Sequence, residues 1–113
     1  MTNLIPVLAA LSGAAAVIAG AFGAHAASGA GAEWLRTGAQ YQLAHAVAAL
    51  VACRMPGGGG AALAFVVGGW IFAGTLYAMA VGAPRWLGAV TPIGGAALIL
   101  GWLVLAFQLA RSG

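Results

Sequence analysis

Polar positions are sparse along this chain and are confined to a few places. Leu4 to Ala24 runs 21 residues without a charge. At 1.5 Å per residue that is about 31 Å, enough to cross the hydrocarbon core of a bilayer. Ala61–Val81 is a second charge-free run of 21 residues. Leu87–Ala110 is a third apolar stretch, interrupted by Thr91-Pro92-Ile93-Gly94-Gly95. Glu33–Cys53 reads differently. Its first half holds Glu33, Arg36, Thr37, Gln40, Tyr41, Gln42 and His45, and its second half, Ala46–Cys53, is apolar. The pattern predicts an all-α, four-helix transmembrane bundle in one domain, with helices at about 4–26, 33–53, 61–81 and 87–110.

The connections are short and carry turn residues. Arg54-Met55-Pro56 with Gly57–Gly60 makes one turn, and Gly82-Ala83-Pro84-Arg85 another. Short connections favour antiparallel packing of successive helices, with both termini on one side. Thr2 and Asn3 are N-cap candidates, and Pro6 lies in the first turn, where a missing N–H costs little. Pro92 has two readings: it starts a helix at about 92, or it kinks a longer one. Ala24-His25-Ala26 resembles a signal-peptide cleavage site. The preceding MTNLIP has no Lys or Arg, however, and the apolar run is too long, so the segment is read as a membrane helix.

On a helical wheel at 100° per residue with Glu33 at 0°, Arg36 falls at about −60°, Gln40 at −20°, Thr37 at 40°, Tyr41 at 80° and His45 at 120°. These residues share one half of the helix, and Gln42 lies opposite. Call the side holding the first and third connections the distal side. Toward it lie His25 on helix 1, Thr75 and Tyr77 on helix 3, and Thr91 on helix 4. Unpaired polar groups in hydrocarbon are costly, so these side chains are expected to face each other inside the bundle. His45, Tyr41, Gln40, Tyr77, Thr75 and His25 are therefore the candidate ligand-binding residues. His45 stands out, because an ionisable group at its depth is rare and can exchange a proton near neutral pH. The same residues also suit plain interhelical hydrogen bonding. Glu33 and Arg36 are spaced to pair, with Glu33 near the positive end of its helix.

Small residues mark expected close helix contacts. Ser12, Ala16 and Gly20 repeat on helix 1, and Gly94, Gly95 and Gly101 occur on helix 4.

Composition excludes more than it assigns. Only 4% of the 113 residues are charged, 64% are hydrophobic, and mean hydropathy is +1.06. A soluble domain carries about 25% charged residues. The net charge of +3 comes from four scattered arginines, so no nucleic-acid surface is expected. Cys53 is the only cysteine, so there is no intrachain disulfide and no CxxC motif. No metal site or cofactor is expected. His25 and His45 differ in depth by more than about 10 Å, which opposes bis-histidine haem ligation. Without Asp, Lys or an activated nucleophile, no catalytic constellation is complete, and the chain does not read as an enzyme. Arginines divide evenly between the two sides, so orientation stays open. Trp34 and Trp86 read as interfacial anchors, and Trp70 and Trp102 as packing residues.

Several segments carry a resemblance: Gly20-Ala21-Phe22-Gly23-Ala24-His25-Ala26, Gln40-Tyr41-Gln42 before His45-Ala46, Gly74-Thr75-Leu76-Tyr77, Thr91-Pro92-Ile93-Gly94-Gly95 and Gly101-Trp102. In this order, from about residue 8 to 107, the chain resembles the bacterial YgdD-like family of small membrane proteins of unknown function. The resemblance implies four membrane helices, in the inner membrane of a bacterial host, and brings no activity with it. The expected role is a non-enzymatic structural or accessory subunit in the lipid bilayer, associating with itself or with a larger membrane complex. The alternative is binding or transport of a small molecule, ion or quinone around His45.

Overall fold

A computed structural model describes residues 3–112. The described residues fold into four α-helices: α1, Leu4–His25; α2, Gly29–Ala52; α3, Gly59–Ala80; and α4, Thr91–Ser112. A short 3-10 turn, Arg85–Ala89, precedes α4. The bundle is 46 Å long and 24 × 22 Å across, close to the thickness of a bilayer with its headgroups.

Local chemistry sets the helix ends. α2 starts at Gly29, four residues before the expected start. Ser28 is extended and Gly29 has φ of 63°, so the chain reverses direction within three residues after α1. Glu33 consequently sits beyond the first turn of α2. Gly57 takes φ of 75°, and a Cβ on Gly58 would lie 1.9 Å from the Ala52 carbonyl oxygen, so the turn before α3 requires glycine. Pro92 is the second residue of α4, where its missing N–H costs no hydrogen bond, so it starts the helix rather than kinking one. Asn3 occupies the N-cap of α1 without a side-chain bond, and Thr2 lies outside the described residues.

Among the described residues, three elements are long and apolar enough to cross a membrane: α1, α3, and the 3-10 turn continuing into α4. α2 is as long, at 24 residues, but its distal half carries the chain's polar residues. Successive helices pack antiparallel, and α3 also touches α1. α4 packs mainly on α3, leaving a cleft between α4 and α2. Small residues make the close contacts. A Cβ on Gly94 would come within 2.3 Å of the Phe72 backbone nitrogen, and one on Gly101 within 2.8 Å of the Phe65 ring. On α1, Ser12 and Ala16 are buried and Gly20 meets Ala39 of α2. The helix 1 small-residue face is thus used within the chain, against α2. The core beneath is Ala9, Ala49, Ala61, Ala62, Phe65, Val66 and Leu98.

Candidate functional site

His45 lies on the inner side of α2 and is 7% exposed. Its Nδ1 is 2.6 Å from the Tyr41 carbonyl oxygen, one turn back. A carbonyl only accepts, so Nδ1 carries the hydrogen. Nε2 is then the lone-pair nitrogen, and it accepts the Trp102 indole N–H at 2.9 Å. Both ring nitrogens are thus satisfied. The bond to Trp102 is a strut across the cleft between α2 and α4. Aromatic rings surround it: Phe65 lies 5.5 Å from His45 and 4.7 Å from Trp102 between centroids, and Tyr41 lies 4.9 Å from Phe72.

The other expected site residues form separate pairs. Tyr77 of α3 donates its hydroxyl to Gln42 Oε1 at 2.8 Å. Its ring lies across Gly38, where a Cβ would come within 2.7 Å of Cε1. Gln42 is 1% exposed, and its Nε2 has no partner among the described residues. Thr75 Oγ1 is 2.5 Å from Thr91 Oγ1 and also donates toward the carbonyls of its own helix. His25 is exposed at the end of α1, beside a separate shallow surface pocket with Phe22. The expected single cluster is therefore three pairs, with His25 apart.

Gln40 and Tyr41 do not point into the bundle. Gln40 is exposed, and Tyr41 is 48% exposed. Glu33 and Arg36 form a 2.8 Å ion pair on the same outer side, with side chains 72% and 52% exposed. The interior has no room for them, because α2 meets α1 and α3 through Gly38, Ala39, Ala46 and Ala49. The wheel grouped these residues correctly, but the group faces outward, and Gln42, across the wheel, is the one turned in. Neither the Gln40 amide nor the Tyr41 hydroxyl makes a hydrogen bond among the described residues. Their depth follows from the strut, which places His45 and Trp102 at one level. Counting 11 residues back along each helix matches Trp34 to Thr91, the first residue of α4. Gln40 then lies about 9 Å inside that level. At the level of Trp34 the Arg85 guanidinium rests 5.4 Å from the Trp34 ring, and Trp86 is exposed, as interfacial residues should be.

Sequence reasoning read Gln42 and Trp102 as peripheral to the chemistry. Trp102 carried one usable signal: a mid-membrane indole N–H needs an acceptor, and His45 is the one ionisable acceptor at that level. The cleft on the distal side of the strut has a volume of about 290 Å³. Tyr41 and His45 form one wall, Leu98, Ile99 and Trp102 the other, with Phe72 and Gly95 completing it. No group of three or more metal-ligating side chains occurs among the described residues.

Comparison with known proteins agrees with this picture. The family described as Protein of unknown function (DUF423) matches residues 19–95. A UPF0382 membrane protein of Haemophilus influenzae is 36% identical over 121 residues, covering 99% of this chain and 98% of that protein. The UPF0382 inner membrane protein YgdD of Escherichia coli K12 is 37% identical over 120 residues, covering 95% and 92%. The UPF0382 membrane protein YwdK of Bacillus subtilis is 36% identical over 115 residues, covering 88% and 89%. No solved structure matches the chain.

Proposed function

Because this chain belongs to DUF423, a family of unknown function whose relatives are named membrane proteins, we propose that it is a non-enzymatic building unit of a membrane assembly, joined to a second copy of itself through the outer face of α2. The inner-membrane name of the Escherichia coli relative supports the same location in a bacterial host. One observation carries the reading. Gln40 presents an unpartnered carboxamide on the outside of the bundle, about 9 Å inside the level where α4 begins. Hydrocarbon offers it no hydrogen bond, and a polar group left bare there is expensive.

A second copy related by a two-fold axis along the membrane normal meets this need. The two α2 helices then run in the same direction, and equal residues meet at equal depth. A carboxamide has both donor and acceptor, so two Gln40 side chains bond reciprocally. Glu33 and Arg36 are likewise self-complementary across such an axis. Polar bonds of this kind contribute roughly 0.6–2 kcal/mol each in membrane bundles. By contrast, between their ends α1 and α4 present apolar outer faces, Val7, Leu11, Val17 and Ile18 on one and Ile99, Leu100, Leu103 and Phe107 on the other, which suit lipid.

Native mass spectrometry from lipid nanodiscs tests this. The expected result is a dimer for the wild type and a monomer for Gln40→Leu, with the thermal transition of the variant retained. A wild-type monomer, a mass dominated by a different protein, or a dimer indifferent to Gln40→Leu would each refute the self-association.

A further inference from the structure

We infer that the cleft between α2 and α4 is a binding site for a flat, lipid-soluble ring bearing a carbonyl or hydroxyl group, the chemistry of a quinone or a phenol. Apart from Tyr41, which borders both, the observations are independent of the α2 outer face.

The glycines of α4 make the first argument. A Cβ on Gly94 or Gly101 would collide with α3, so the fold needs glycine at both. Gly95 is different: a Cβ there would meet only the Phe72 ring, at 3.7 Å, which is ordinary contact. Helix packing does not require glycine at this position, and glycine in a helix interior is less favourable than alanine. What its missing side chain provides is the open wall of the cleft.

The lining sets the ligand class. The cleft opens toward lipid, since Trp102 is 47% exposed at its mouth, so its occupant enters from the bilayer. Tyr41, Phe72 and Trp102 present π faces and edges, which favour a flat ring over an acyl chain. His45 and Trp102 are hydrogen-bonded to each other, and the Tyr41 hydroxyl is the lining side-chain donor left free among the described residues. It suits a single carbonyl or hydroxyl oxygen. A volume of about 290 Å³ holds a ring headgroup with its tail left in the lipid. Ligand sites typically begin at about 300 Å³.

Trp102 makes the site self-reporting. In a chain carrying Trp34→Phe, Trp70→Phe and Trp86→Phe, Trp102 is the remaining fluorophore. The probe is 2-methyl-1,4-naphthoquinone, titrated into nanodiscs, with a brominated-acyl phosphatidylcholine as the competing aliphatic quencher. We expect saturable quenching by the quinone. Gly95→Leu should raise the midpoint by about tenfold or more, the equivalent of 1.4 kcal/mol. Tyr41→Phe should raise it about fivefold, as for one lost hydrogen bond. Gly95→Ala should shift it in the same direction by less, and it supplies the test if Gly95→Leu does not fold. Assembly mass stays unchanged in the Gly95 variants, which separates this site from the α2 interface. Quenching that rises linearly without saturation, or saturates equally in the Gly95 variants, overturns the site. Stronger saturable quenching by the brominated acyl chain overturns the ring class.

Discussion

Both faces of α2 carry polar side chains, and the two sets have different fates. On the inner face, each polar side chain is drawn into a contact within the chain. His45 is held by the Tyr41 carbonyl and Trp102, and Gln42 by Tyr77. Gly38, Ala39, Ala46 and Ala49 bring the neighbouring backbones close enough to exclude anything larger. On the outer face, Glu33 and Arg36 pair with each other, and Gln40 and the Tyr41 hydroxyl have no partner among the described residues. The difference teaches that folding gives both inner polar side chains a partner, with only Gln42 Nε2 left over, whereas on the outer face the ion pair is met within the chain and the Gln40 amide and Tyr41 hydroxyl are not. α2 is also the helix that is not apolar enough to cross a membrane by itself. It is tolerated because α1 and α3 cover one side of it, and the proposed second copy covers the other.

The contrast can be broken by treating the faces alike. The largest effect is expected on the inner side. Gly38→Leu drives a side chain into the Tyr77 ring, already only 2.7 Å from the first added carbon. Overpacking of this kind typically costs 1–3 kcal/mol, and displacement of the Tyr77–Gln42 bond adds to it, for a total of about 3 kcal/mol. Denaturation in mixed micelles, followed by circular dichroism, would show an early transition. An unshifted transition would mean that α2 and α3 are not packed as described. Trp102→Phe comes next. It keeps the ring but leaves His45 Nε2 without a donor, at a cost of about 1–2 kcal/mol. If His45→Leu is combined with it, the loss should be smaller than the sum of the two single effects, since they share one bond. Gln40→Leu is the smallest for folding, within about 0.5 kcal/mol, as for a surface position, while it removes the association.

Much of this fold is legible in the residues. Run lengths give four helices and turn residues give their connections; of the α1 small-residue repeat, Ser12 and Ala16 are buried and Gly20 lies against Ala39. His45 is singled out by depth alone and proves to hold the strut between α2 and α4. The start of α2 is missed because Gly29, Ala30, Gly31 and Ala32 carry no pattern, and the helix extends through them by packing. The direction of the α2 polar face is missed for a different reason. Periodicity says which residues share a face; it does not say toward which neighbour the face turns. The expectation that polar groups turn inward assumed an interior with room for them, and an interior closed by glycine and alanine has none. Gln42 and Trp102 were passed over because each looks ordinary until its partner is known.

The central claim is that the outer face of α2 meets the same face of a second copy. Site-directed disulfide formation tests it most directly. Ala44 lies one turn beyond Gln40 on that face and is exposed, as is Val17 on the outer face of α1. With Cys53→Ala removing the native thiol, Ala44→Cys and Val17→Cys would be oxidised in parallel in native membranes. The account predicts a cross-linked dimer for Ala44→Cys, abolished by adding Gln40→Leu, and none for Val17→Cys. Equal cross-linking at both positions, or none at Ala44→Cys, would contradict it.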